Sequence, residues 1–256
     1  MKYDIEICPV LARQQLTADI FSLTVSAPKL APLAKAGQFA QIRIPGKVLR
    51  RPISICGIGP DTLRFVVQVR GEGTQQLSEV RPGDSLDILA PLGNGFPQQM
   101  AEKRAVFVGG GIGVPPLLGA ATAFSGEKTA VLGFRSREAV ILADDFTAAG
   151  CRVHLATDDG SAGFHGLVTG VLQTLSFDVC CACGPLPMLR AVAALCAERK
   201  VPCWVSMEQR MACGVGACLG CATALYRPDG SQYYGHVCKD GPVFPASRIA
   251  WEQGVQ

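Results

Sequence analysis

The sequence predicts a multi-domain β plus α/β chain: an antiparallel β-barrel over residues 1–100, a parallel α/β domain over residues 101–203 and a small C-terminal domain over residues 204–256. Three observations predict it. Short alternating runs broken by Gly, Pro and Asp turns fill the N-terminal part. Apolar strand-like runs then alternate with helix-like runs. Last, ACGVGACLGC, residues 212–221, crowds three cysteines and three glycines into ten residues.

The barrel comes first in the chain. FSLTVSAP, QFAQIRIP, RPISICGI, LRFVVQVR and DSLDILAP carry β-branched or alternating patterns, and KAGQ, GPDT and RPGDS supply the turns. Such strands, so spaced, favour a small antiparallel barrel or sandwich. RRPISI places Arg51, Pro52, Ile53 and Ser54 on one of them. Ideal alternation points Arg51 and Ser54 to opposite faces. Pro52 argues for an edge or a bulge, which would turn both towards one ligand. The arginine suits a pyrophosphate, and the serine hydroxyl suits the edge of a flavin. GEGTQQLS then offers the backbone N–H groups of Gly71 and Gly73, the Thr74 hydroxyl and a helix start, a combination that attracts phosphate. Either motif alone is a common turn. In this order, within one barrel, they are more specific.

Beyond GNGFP the period changes. RAVFVGGG, KTAVLGFRS, CRVHLATDDG and DVCCACGP read as buried strands; PPLLGAATAFS, REAVILADDFTAAG, HGLVTGVLQTL and LPMLRAVAALCAERK read as helical runs between them. Alternating units of this kind build a parallel sheet that binds ligands at the carboxyl ends of its strands. VFVGGGIGVPPLL reads as strand, glycine turn and helix, and Gly109, Gly110, Gly111 and Gly113 let a dinucleotide approach the backbone. It departs from the dinucleotide fingerprint, because Pro116 stands in place of the third glycine and no acidic residue ends the second strand. That strand ends in GFRS, where Arg135 is either a 2′-phosphate ligand or a solvated cation. ATDDGSAGFHG, with Asp158, Asp159 and Gly160, and ACGPLPML, with Cys183, Gly184 and Pro185, follow later strands at the same end. Cys183 is the candidate neighbour of a nicotinamide. Cys180 and Cys181 read as small residues packing a buried strand. His154, His165 and His236 show no ligand spacing.

The tail carries the most specific signal. Cys213, Cys218, Cys221 and Cys238 form C-x4-C-x2-C followed by a distant cysteine, the spacing of plant-type [2Fe–2S] ligands. Gly214, Gly216 and Gly220 let the loop curl around a cluster and aim N–H groups at sulfur. PDGS, residues 228–231, is a turn signal, so residues 222–238 read as a hairpin returning Cys238 to the loop. A structural zinc ion with four cysteine ligands is the alternative. Zinc sites usually present two separated pairs, whereas three ligands share one loop here.

Composition narrows the function classes. Of 256 residues, 48% are hydrophobic and 18% charged, which excludes wholesale disorder. The net charge of +3 is too small and too evenly spread to argue for a nucleic-acid partner. The start, MKYDIEICPVLARQQ, lacks the apolar core of a signal peptide. Residues 105–124 are uncharged and long enough for a bilayer, yet five glycines and Pro115–Pro116 make them a strand, turn and helix start instead. A cytoplasmic chain with no membrane span is therefore expected. With no export signal, clustering among the twelve cysteines points to metal or redox work rather than disulfides. The dispersed Cys8, Cys56, Cys151, Cys196 and Cys203 read as small buried hydrophobes.

Together, RRPISI, GEGT, PLGNGF, GGGIGVPPLL, TDDGSAGFHGLVT, ACGPLPML, MEQRMACGVGACLGC and VCKDGPVF resemble the ferredoxin–NADP⁺ reductase superfamily and, within it, the electron-transfer subunits of type B dihydroorotate dehydrogenases. The resemblance spans most of the chain from residue 50 onward. It implies an FAD-binding barrel, an NAD-binding α/β domain and a [2Fe–2S] domain ligated by Cys213, Cys218, Cys221 and Cys238. It also implies flavin contacts from Arg51, Pro52, Ile53, Ser54, Gly73 and Thr74, and from the strand residues Val66, Val67 and Gln68. Gln68 stands where the family leads one to expect an arginine.

The residues then describe a relay. Nicotinamide exchanges a hydride, the cluster moves single electrons, and FAD converts between them. Such chemistry needs alignment more than an acid or base, which agrees with motifs built from glycine and backbone. The modules leave little chain for an organic-substrate site, so the GVGACLG loop should face a partner. The resemblance names that partner: an FMN-containing catalytic subunit oxidising dihydroorotate in UMP synthesis, in a heterotetramer of two plus two. The same modules would also serve a ferredoxin-type or hydrogenase partner. A colourless zinc-stabilised binding module is the remaining, non-enzymatic reading.

Overall fold

The structure, a computed structural model, describes residues 3–97, 100 and 103–252. Six antiparallel strands, β1 (Asp4–Gln15), β2 (Ile20–Ser26), β3 (Phe39–Ile42), β4 (Arg51–Ile58), β5 (Thr62–Gln68) and β6 (Ser85–Leu92), close into a barrel in the order β1-β2-β5-β4-β3-β6. Alternation fills the interior from β2 (Phe21, Leu23), β3 (Ala40, Ile42) and β5 (Phe65). Five of the strands follow the sequence expectation, and β1 is an addition. Asp4 and Glu6 share the face of buried Cys8 and Val10, while Ile5, Ile7 and Leu11 on the other face are each more than half exposed. That inverted polarity conceals the strand. A short helix, α1 (Glu72–Ser78), follows β5.

The α/β part comprises β7 (Arg104–Gly110), α2 (Pro115–Ala123), β8 (Glu127–Phe134), α3 (Ala143–Ala148), β9 (Arg152–Thr157), β10 (Phe164–His165), α4 (Val168–Gln173), β11 (Val179–Cys183), α5 (Leu186–Glu198) and β12 (Cys203–Ser206). The helical run expected over residues 137–150 is broken. A 3-10 turn at Arg137–Ala139 and α3 are separated by buried Ile141 and Leu142, and Leu142 adopts φ 61. The tail adds β13 (Ala222–Tyr226), β14 (Gln232–His236) and β15 (Val243–Pro245).

The sheet order is β10-β9-β8-β7-β11-β12-β15, parallel as far as β12 and antiparallel at β15. The chain reverses its winding between β7 and β11, which opens a crevice at their carboxyl ends. Because β15 pairs Val205↔Phe244, the tail is stitched into the α/β sheet, and the division at residue 203 drawn from composition falls within β12.

Two cores cross the module boundaries. Ile20, Cys56 and Val66 of the barrel pack with Leu117 and Leu118 of α2, so the helix following the glycine turn is seated on the barrel. Phe39 and Leu92 pack with Cys221, Leu225 and Phe244 of the tail. Each large apolar side chain buried there contributes on the order of 1.5–3 kcal/mol. Asn94, in the PLGNGF run, adds a polar clasp: its Nδ2 donates to Lys239 O at 2.9 Å and to Asp240 O at 3.1 Å.

Candidate functional site

The barrel is open at one seam. β4 and β5 pair only from Ile55↔Phe65 onward, with a bulge between Ile55 and Gly57. Arg51–Ser54 pair with β3 alone, from Ile42↔Arg51 to Phe39↔Ser54, and Val66–Gln68 pair with β2 alone. Pro52 is tolerated because the β5 side of β4 needs no donor there. The bulge thus lies beyond the motif, and the register puts Arg51 and Ser54 on opposite faces. The Arg51 guanidinium crosses the seam to Gly73, where a Cβ would stand 2.5 Å from its Nε. One open edge therefore collects Arg51–Ser54, Val66–Gln68 and the GEGT turn. It bares backbone polar groups for the edge of a ring, with a guanidinium and a helix start beside them for phosphate.

The Thr74 hydroxyl is engaged within the turn itself. Its Oγ1 accepts from Arg70 N–H at 2.9 Å and donates to Gly71 O at 3.0 Å, so it holds the turn. Gln68 is turned to Asp19, donating to Oδ2 at 2.8 Å, and accepts from Arg70 Nε at 2.9 Å. The Gln68 amide holds the Asp19 carboxyl below its ordinary range. The Arg70 guanidinium is thus held beside residue 68.

At the sheet's switch point the glycines of two loops interlock. A Cβ at Gly113 would meet Cys183 O and Gly184 Cα, each at 2.5 Å; one at Gly110 would meet Met188 Sδ at 2.7 Å and Pro185 Cδ at 3.0 Å. Gly111 has φ 52 and faces open space. The structure thus brings Gly110, Gly111 and Gly113 together with Cys183, Gly184 and Pro185. Cys183 pairs with Gly109 on one side and Ser206 on the other. Burial pushes its thiol up to about 12, with Ser206 acting weakly in opposition, so it stands there neutral. Asp158, Asp159 and Gly160 lie two strands away beyond β9. There Asp158 N–H donates to Phe134 O and Asp159 N–H to Arg135 O. Glu138, which carried no sequence signal, accepts from Ser136 Oγ at 2.6 Å in the loop that follows β8.

In the tail, the hairpin forms as expected, from Ala222↔His236 to Tyr226↔Gln232. Val237 N–H donates to Cys221 O at 3.0 Å and so returns Cys238 to the loop. The Cys218 thiol acts on Cys213 and the Cys221 thiol on Cys238, so the four thiols neighbour one another two by two. A binuclear cluster needs two thiolates per iron, which this arrangement offers. Cys213 Sγ also accepts the N–H groups of Val215 (3.4 Å), Ala217 (3.3 Å) and Cys218 (3.4 Å). Burial opposes ionisation there, but the N–H groups and the Cys218 thiol outweigh it and bring Cys213 down to about 6. Burial, then Cys221, pushes Cys238 up to about 12, a proton that metal binding would displace.

A second thiol group is distinct from these. Cys180, Cys196 and Cys203, expected as separate packing residues, converge within 4.8 Å at the opposite end of the sheet from the glycine loops. Cys180 and Cys203 are register partners on β11 and β12, and Cys196 arrives from the helix joining them. Hydrogen bonds to Cys196 and Cys203, then burial, hold the Cys180 thiol well above its ordinary range. Cys8 and Cys56 behave as expected: burial pushes each up to about 12.

Comparison with known proteins agrees with this geometry. Residues 208–250 match the family model described as the iron-sulfur cluster binding domain of dihydroorotate dehydrogenase B. A protein of Geobacillus kaustophilus named dihydroorotate dehydrogenase B (NAD(+)), electron transfer subunit, is 43% identical over 252 residues, covering 93% of this chain and 96% of its own. The chain belongs to that family. Another member, from Caldanaerobacter subterraneus, is 39% identical over 244 residues, covering 94% of this chain and 96% of its own. Among solved structures, an NADH-dependent reduced ferredoxin–NADP oxidoreductase superposes with a TM-score of 0.85 at 30% identity, over 97% of this chain and 91% of that one. An Amycolatopsis cytochrome P450 reductase, 22% identical with a TM-score of 0.66 over 77% of this chain and 67% of its own, shares the fold. For a dihydroorotate dehydrogenase B electron transfer subunit, the name itself implies a catalytic partner. Among the described residues, no helix is long and apolar enough to cross a membrane.

Proposed function

We propose that this chain carries electrons from a dihydroorotate-oxidising subunit to NAD⁺, with FAD at the barrel seam, a [2Fe–2S] cluster in the tail and the nicotinamide at the β7–β11 switch point. The observation that carries the reading is the return of Cys238, by the β13–β14 hairpin, to the loop of Cys213, Cys218 and Cys221, on a tail stitched into the α/β sheet. When bound, FAD exchanges a hydride with nicotinamide and single electrons with the cluster. The chain's own residues align and shield. Arg51 and the GEGT turn anchor phosphate, and the bared edges of β4 and β5 hold the ring. Gly110, Gly113 and Gly184 let the nicotinamide approach closely. Cys183, kept protonated by burial, adds no charge beside a transferring hydride.

The partner is an FMN-containing catalytic subunit of the pyrimidine pathway, in an assembly of two plus two in the cytoplasm. It docks on the cluster loop, where Leu219 is 78% exposed between half-buried Cys218 and exposed Gly220. A protein surface seated on this loop would cover that leucine. A ferredoxin-type partner is the second reading, favoured by the superposition on the ferredoxin–NADP oxidoreductase.

Reconstitution separates the two. The chain mixed anaerobically with an FMN dihydroorotate-oxidising subunit should form NADH from dihydroorotate and NAD⁺, and neither component should do so alone. Turnover with reduced ferredoxin and none with the FMN subunit would establish the second reading.

A further inference from the structure

Gln41 is wholly buried, yet neither its Nε2 nor its Oε1 has a hydrogen-bond partner. A buried amide left unpaired is costly, so an orphan of this kind calls for a partner. Its position says which ligand. β3 alternates, with Ala40 and Ile42 inside the barrel, so Gln41 points outward with Phe39, which belongs to the same core as Cys221 and Cys238. Its register partner on β4 is Pro52, in the middle of the flavin motif. Its amide lies against Gly214, the residue after Cys213: a Cβ there would stand 2.8 Å from Gln41 Nε2 and 2.8 Å from its Cγ. Gly214 also has φ 74. Residue 214 is therefore glycine for two reasons, a left-handed turn and the space that the Gln41 amide takes.

Resting on the cluster reading above, we infer that the Gln41 side-chain N–H is a hydrogen-bond donor to the sulfur of the [2Fe–2S] cluster, a positioning residue that sets the cluster's reduction potential from the barrel side. The donor set in the loop is all backbone: Val215, Ala217 and Cys218 serve Cys213 Sγ from the loop itself. Gln41 is a side chain from another module, fixed by a strand that also carries the flavin motif's partner residues. It ties the depth at which the loop sits to the position of the seam. A donor to sulfur stabilises the more negative, reduced cluster, so removing it lowers the potential. Anionic sulfur selects the N–H end of the amide, the end found beside Gly214.

The test is a redox titration of the anaerobic full chain, followed by the electron paramagnetic resonance of the reduced cluster, in wild type and in Gln41→Met, which keeps the side chain's length and removes the donor. The variant should retain the wild-type iron, sulfide and FAD content. Its cluster reduction equilibrium should fall about tenfold, a shift of about 59 mV to lower potential for one electron. An intact cluster with an unmoved potential would overturn the inference while leaving the cluster itself established; wild-type chain without iron would instead overturn the reading beneath it. Should Gln41→Met lose iron, the wild-type centre decides. With glutamine side chains labelled with nitrogen-15, and Gln209→Leu in the background so that Gln209, four residues before Cys213 in sequence, contributes no signal, the reduced cluster must show a nitrogen-15 hyperfine coupling, and its absence overturns the inference.

Discussion

The Arg51 guanidinium rests directly on the Cα of Gly73: a Cβ at residue 73 would stand 2.5 Å from Arg51 Nε and 2.8 Å from Nη2. Two motifs far apart in the chain thus meet across the open seam between β4 and β5. Gly73→Ala must push the guanidinium away. Charge-assisted hydrogen bonds of the kind an arginine makes to phosphate contribute about 1.5–3 kcal/mol. FAD affinity should fall about tenfold or more in Gly73→Ala, and similarly in Arg51→Ala. Flavin fluorescence released on dilution checks this, with circular dichroism confirming the fold.

Gly113→Ala acts at the other crevice. Its methyl would meet Cys183 O and Gly184 Cα at 2.5 Å and wedge the β7 and β11 loops apart. Overpacking of this kind costs about 1–3 kcal/mol. The KM for NADH should rise about tenfold while flavin and iron content stay unchanged. Steady-state reduction of an artificial acceptor measures the KM, and the visible spectrum reports the cofactors.

Asn94→Ala removes the clasp from the loop after the barrel's last strand to Lys239 O and Asp240 O, beside Cys238. Losing such bonds costs about 1 kcal/mol each. The loss should fall on the cluster alone. Iron should leave several-fold faster to a chelator, with FAD retained, as followed by the decay of the iron–sulfur absorbance.

Leu219→Asp places a charge on the exposed tip between Cys218 and Gly220. Its cofactors should be intact, because the side chain points to solvent. Association with the catalytic subunit should weaken at least about tenfold, the loss of a modest hot spot. Analytical ultracentrifugation of the mixture reads it.

Much of this was legible because backbone demands are written in residue types. Glycine is needed where Gly113 meets a carbonyl, and Cys213, Cys218 and Cys221 must share a loop. Pairing and contact across modules were not legible. Gln41 looks like any outward strand residue until β3 is set against the cluster loop. β1 was concealed by apolar Ile5 and Ile7 on its outer face. β15 lay in a stretch whose composition reads as tail, and only its register with β12 shows that it completes the α/β sheet. Cys180, Cys196 and Cys203 are far apart in sequence, and their meeting depends on a crossover helix.

The most direct measurement is an anaerobic NADH titration of the purified chain, with iron, acid-labile sulfide and flavin assayed on the same sample. The account predicts one flavin and one [2Fe–2S] cluster per chain, with NADH bleaching the flavin bands and then the iron–sulfur shoulder. A chain that holds flavin without iron, or whose iron–sulfur absorbance stays oxidised under excess NADH, would contradict a relay through the Cys213–Cys238 site.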